Sequence, residues 1–116
     1  MDRSDSRAVQ SAQGVRQLHR LTEKEFQAQV LTLARWCGWW AFHPFDSRRS
    51  APGWPDLALL RPPRVLFVEL KSDRGRVTAE QEWVLEALRA CGLEVCVWRP
   101  SDWAEIEEQL ARSKEQ

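Results

Sequence analysis

PGWPDLALLRPPRVLFVELKSDRG, residues Pro52 to Gly75, reads as two apolar strands joined by a short turn. It carries Asp56, Glu69 and Lys71 at positions where a sheet interior takes apolar residues. A turn symmetric about Pro62 and Pro63 sets Leu60 opposite Val65 and Leu59 opposite Leu66. The same register sets Asp56 directly opposite Glu69. Opposed residues of an antiparallel pair share a face, with Cβ atoms about 4.5–5.5 Å apart. Lys71, two residues beyond Glu69, shares that face as well. A bulge would shift this register, so the pairing holds for a regular ladder.

Like charges directly opposite each other are destabilising, and something must compensate. A divalent cation does so well. Mg²⁺ prefers carboxylate oxygens, keeps several waters and takes one or two protein carboxylates, which leaves positions open for a phosphate oxygen and a water. A metal there polarises a phosphodiester, and a neighbouring lysine either stabilises the negative charge that develops or positions the nucleophile. A surface Asp–Lys–Glu salt-bridge cluster at a sheet edge is the other reading of the same three residues. Val65 to Val68 is apolar on both alternating faces, which points to a central strand rather than an edge.

Outward from this hairpin the chain alternates helix and strand. LTEKEFQAQVLTLARWCGW predicts a helix with Thr22 as N-cap, Glu25 completing a capping box and Gly38 as the stop. Phe26, Val30, Leu33 and Cys37 recur on it at helical spacing. WWAFHP predicts a short strand ended by Pro44, and FDSRRSAPGWP a loop. After SDRGRV, a second basic loop, TAEQEWVLEALRAC predicts a helix capped by Thr78 and Gln81 and ended by Gly92. EVCVW is the last strand. Ser101 or Asp102 then caps a final helix to about Arg112, with Trp103, Ile106 and Leu110 facing inward. The order is αβββαβα. Residues 1–20 read as a flexible tail and residues 21–113 as a single α/β domain.

The formal net charge of the 116 residues is +0, but its distribution is uneven. Residues 1–42 carry six basic and four acidic residues, residues 43–76 seven and four, and residues 77–116 four and nine. A basic front and an acidic back suit a chain that turns one face to a polyanion, although solvated helices explain the acidic part equally well. Cys37, Cys91 and Cys96 are odd in number, lack framework spacing and fall in apolar stretches, so buried free thiols are expected. With no CxxC pair and no ligand-spaced partner for His43, a zinc site is not expected. No apolar run of about 18 residues and no signal-peptide core occurs, so a soluble cytoplasmic protein without a membrane partner is expected.

Pro55–Asp56, followed thirteen residues later by Glu69–Leu70–Lys71, resembles the PD-(D/E)XK nuclease signature. SRRSAPGWPDL, VLFVELKSDRGRVTAEQ and VCVWRPSDW together resemble the VRR-NUC family, the virus-type replication–repair nuclease domain, over about residues 22–112. The resemblance implies a restriction-endonuclease-like αβββαβ core with a mixed central sheet, here followed by a C-terminal helix. It implies Mg²⁺ or Mn²⁺ held by the Asp56 and Glu69 carboxylates and the Leu70 backbone carbonyl, with Lys71 as the catalytic lysine. It further implies that Gln81 supports the site and that Glu25, on the first helix, contacts metal-bound water. Both residues are also the N3 residue of a capping box, which is a complete structural explanation. Gln81 shares a helical stripe with Val84 and Leu88 and is therefore expected to face the sheet.

Arg48, Arg49 and Ser50 in the first loop, and Arg74 and Arg76 in the second, are candidate phosphate contacts. Trp54 either stacks on an unpaired base or caps the core, and His43 either touches DNA or sits at the core edge. Stand-alone members of the family act as compact homodimers, so Holliday-junction cleavage by two symmetric sites is the leading expectation, with dimer contacts among Trp36, Trp39 and Trp40. The rivals are the same chemistry on flaps, nicked or linear duplex DNA, and a DNA-binding module without cleavage.

Overall fold

The computed structural model describes residues 21–44 and 51–113. Helix α1 spans Glu23–Trp36, and strands β1, β2 and β3 span Trp40–Phe42, Leu57–Arg61 and Arg64–Leu70. Helix α2 spans Ala79–Ala90, β4 spans Glu94–Trp98, and a single 3-10 turn at Pro100–Asp102 leads into α3, Trp103–Ala111. The four strands form one sheet in the order β1-β2-β3-β4. The first three are antiparallel, and β4 runs parallel to β3 after the α2 crossover. The sheet is therefore mixed and flanked by helices, in the element order expected from the sequence.

The β2–β3 register pairs Leu57 with Val68, Leu59 with Leu66, Leu60 with Val65 and Arg61 with Arg64. No bulge interrupts it. One face of the sheet presents Leu57, Leu59, Leu66, Val68 and Leu70 to Phe26, Val30 and Ala34 of α1 and to Ile106 and Leu110 of α3. Burial of each such side chain stabilises the fold by about 1.5–3 kcal/mol. The other face carries Ala58, Phe67 and Glu69, and α2 approaches it. Helices stop where glycine takes positive φ, at Gly38 (+88°) after α1 and Gly92 (+82°) after α2.

Three local expectations change. Cys91 is exposed, while Cys37 and Cys96 are half-buried; all three thiols are free. Burial, followed by the Glu94 charge, pushes the Cys96 thiol up to about 11. Trp39 is 3 % exposed, in the core, because alternation along the chain turns only Trp40 outward. The start of α3 is built differently from a side-chain cap. Asp102 Oδ2 accepts from Arg99 N at 2.9 Å, closing the 3-10 turn instead of bonding the helix N–H groups. Residues 1–20, read as a tail, lie outside the described residues. Among the described residues no helix is long and apolar enough to cross a membrane.

Candidate active site

The two carboxylates meet where β2 begins and β3 ends. One step beyond Leu57 and Val68, the same register sets Asp56 beside Glu69. Asp56 Oδ2 accepts the Leu70 N–H at 2.8 Å, which ties the carboxylate to the β3 backbone. Glu69 is 2 % exposed. Its Oε2 accepts from Gln81 Nε2 at 2.8 Å and from Lys71 Nζ at 3.3 Å. Its Oε1 is buried and, among the described residues, has no hydrogen-bond partner. A buried carboxylate oxygen left without a donor is costly, and in a native fold it calls for an explanation.

The electrostatics follow from this crowding. Burial pushes the Asp56 carboxyl above its ordinary value, against the pull of the Leu70 N–H, and the Glu23 charge adds to the rise. Burial, then the Asp56 charge, pushes Glu69 up to about 7, with Lys71 opposing. Both shifts follow from acids brought together in a partly dry cleft, where burial disfavours the charged form more than Lys71 restores it.

Gln81 resolves the choice between cap and site by doing both. Its Oε1 accepts from Thr78 N at 2.9 Å, closing the capping box of α2, while its Nε2 reaches Glu69. Gly53 makes the approach of the loop to α2 possible. Its φ is +85°, and a Cβ there would lie 2.5 Å from the Glu80 carbonyl oxygen. Only glycine lets this backbone pass so close to the first turn of α2 and carry Trp54 to Asp56 into the cleft.

The structure does not bring Glu25 to the cleft. Its N–H and carboxylate both engage Thr22, at 3.1 Å each, and the side chain is exposed. Glu23 and Gln27, four residues apart on the same face of α1, line the cleft instead, together with Asp56, Glu69, Lys71 and Gln81 around about 390 Å³. Cap position alone did not decide this, since the Gln81 amide serves its cap as the Glu25 amide does and the Gln81 side chain still reaches Glu69.

The second basic loop is pinned. Arg99 Nη1 donates to the Ser72 and Gly75 carbonyls at 2.6 Å each. Asp73 Oδ1 accepts from Ser101 N at 3.1 Å, and Glu23 Oε1 from Ser72 N at 3.3 Å. Arg74 and Arg76 stand exposed on this held loop. The Arg99 role was not read from the sequence, because nothing local ties residue 99 to residues 72 and 75. His43 is exposed at the end of β1, and Trp54 borders the cleft. Arg48, Arg49 and Ser50 lie outside the described residues.

Among the described residues no group of three or more His, Cys, Asp or Glu side chains could hold a metal ion. The cleft brings together two carboxylates, Asp56 and Glu69, hard oxygen donors of the kind Mg²⁺ takes with water completing its shell. The unpartnered Glu69 Oε1 fits such an ion.

The model of a family described as the VRR-NUC domain matches residues 7–102. The fold is similar to a solved structure of Hjc, a Holliday junction resolvase of the archaeal hyperthermophile Archaeoglobus fulgidus. The two are 22% identical, with a TM-score of 0.50 over 66% of this chain and 67% of that one. At that identity the likeness concerns the fold. No curated protein matches the chain.

Proposed function

The chain belongs to the VRR-NUC domain family, and from that premise we propose that it is a Mg²⁺- or Mn²⁺-dependent endodeoxyribonuclease that cuts branched DNA. The observation that carries this reading is the Glu69 carboxylate, set beside Asp56: one oxygen is held by Gln81 and Lys71, and the other is buried and without a partner among the described residues. Asp56 and Glu69 would hold the cation, with the Leu70 backbone carbonyl between them. When bound, the ion would polarise the phosphodiester and lower the pKa of the attacking water.

The remaining work falls to the chain. Gln81 orients Glu69 so that Oε1 points where a ligand is needed. Lys71, also held on Glu69, places its ammonium against the charge that develops on the phosphate. Glu23 holds water at the α1 side of the cleft, the part that the family resemblance assigned to Glu25. Arg74 and Arg76 clamp flanking phosphates. Selectivity comes from the shape of the DNA, because the domain offers no separate element for base readout.

Two copies related by a two-fold axis would cut paired strands of a four-way junction. Trp40 and Phe42 on the edge strand β1 and Leu60 on β2 beside it are exposed, and Trp40 pairs with Leu60, so this apolar patch supports self-association. Residues 21–113 act as one nuclease domain.

Cleavage of an end-labelled four-way junction and a matched linear duplex, with Mg²⁺, Mn²⁺ or EDTA, tests the reading beside Lys71→Ala. Paired symmetric nicks that require metal and are lost in the variant are expected. Metal-dependent cutting of flaps or linear duplex in preference would remove the junction assignment, and binding without cutting under either metal would remove the nuclease.

A further inference from the structure

Beside the carboxylate cleft lies a second hollow of about 460 Å³ with apolar walls. Trp83 and Ala87, one helical turn apart, form one wall together with Val84 and Leu88. Pro52 and Trp54 form the other. Pro52 and Trp54 also line the carboxylate cleft, so the two hollows share a wall. Trp83 is 73 % exposed and Trp54 41 %. The Trp54 ring meets Phe67 edge to face, with centroids 5.7 Å apart and planes at 80°. That contact holds the indole in place where it borders the hollow.

We propose that this groove takes a nucleobase. The unpaired base of the nucleotide next to the phosphate at Asp56 and Glu69 stacks on Trp83 and Trp54. The inference rests on the nuclease reading and names its substrate class: strands with an unpaired nucleotide beside the cut, as at a flap, a gap or an opened junction.

Three observations select this occupant. A base and its phosphate are separated by one sugar, which suits two sites with a common wall. Among the described residues the charged residue at the rim, Glu80, is acidic, so it disfavours a phosphate there and leaves the apolar face of a base as the matching group. Nine residues line the groove, whereas a stable protein interface takes roughly 20–30 residues a side. Bases in a duplex keep their faces stacked, so only an unpaired base can offer one to an indole.

The test uses the full chain and flapped duplexes carrying 2-aminopurine as the unpaired base at successive positions from the branch. In EDTA, where nothing is cut, binding quenches the fluorophore at one position. Trp83→Ala loses the quenching and Trp83→Phe retains it. Trp83 is largely outside the core, so its truncation spares the fold. With Mg²⁺, the ratio of flapped to fully paired cleavage falls about tenfold in Trp83→Ala, as expected for the loss of one stacked base. Quenching and ratio that are both unaffected by Trp83→Ala would overturn the proposal. A Trp83→Ala variant that changes sedimentation but not quenching would overturn it too, by assigning the groove to a protein partner. A wild-type chain that quenches but cuts nothing retains the base site and loses the nuclease, whereas cutting without quenching at any position does the reverse.

Discussion

The β2–β3 hairpin has a like-charged pair at each end, and the two pairs have opposite fates. At the turn, Arg61 lies opposite Arg64. At the open end, Asp56 lies beside Glu69. Both arrangements are repulsive in isolation. The arginines are fully answered by the protein. Arg64 makes a bidentate pair with Glu94, at 2.8 and 3.0 Å, and donates to the Gln109 and Arg112 carbonyls. Arg61 donates to the Cys37, Leu110 and Arg112 carbonyls. The C-terminal end of α3 thus supplies the partial negative charge that the buried Arg64 and the half-buried Arg61 need. Trp39 lies between them, with guanidinium carbons 4.7 and 4.9 Å from its ring centre. Among the described residues the carboxylates have only Lys71, Gln81 and one backbone N–H, and Glu69 Oε1 has no partner. A charge cluster that the protein completes is structural, and one that it leaves incomplete marks the place for a ligand.

The comparison can be broken most directly at the structural end. Arg64→Ala leaves the α3 carbonyls without a buried donor, while the Glu94 side chain, 43 % exposed, turns to water, so it is expected to cost about 1–3 kcal/mol in denaturant unfolding. A loss below about 1 kcal/mol would mean the cluster is not structural. At the other end, Gln81→Ala is expected to lower cleavage by about 10–100-fold, as loss of a ligand-orienting partner does. Its stability cost should stay near the 0.3–1.5 kcal/mol of a helix cap. Equal losses in both would return Gln81 to a purely structural role.

Titration sharpens the contrast. Glu69 sits near 7 in the folded protein, against 4.5 for the free group. Between those values the unfolded chain has released the proton and the folded chain keeps it, so the metal-free protein loses stability as pH rises through that window. Above about 7 the carboxylate is ionised and able to hold a cation, so Mg²⁺ should raise Tm more at pH 8 than at pH 6. Melting of wild type and Glu69→Gln, with Mg²⁺ or EDTA, checks this. A wild-type curve that follows the variant at every pH would remove Glu69 as the titrating ligand. The smallest effect is expected from Arg99→Ala. It releases the Arg74–Arg76 loop, and cleavage should become less sensitive to salt as phosphate contacts are lost; an unchanged salt slope would mean that the loop does not meet DNA.

The sequence by itself determined the elements and the hairpin register. Capping residues, glycine stops and period-two alternation act over a few residues, so they are legible without the fold. The position of Asp56 beside Glu69 follows from that register alone. Tertiary structure decided what depends on how elements are set against one another. It turned Glu23 rather than Glu25 into the cleft, although both lie in the first turn of α1. It converted Arg61 and Arg64, part of an apparently basic front, into partners of the α3 C-terminus. It gave Gln81 two roles at once, brought Arg99 to the Ser72–Gly75 loop, and placed Trp83 opposite Trp54 across a shared groove. In each case the deciding partner lies far along the chain, and packing selects it after local preference has made its choice.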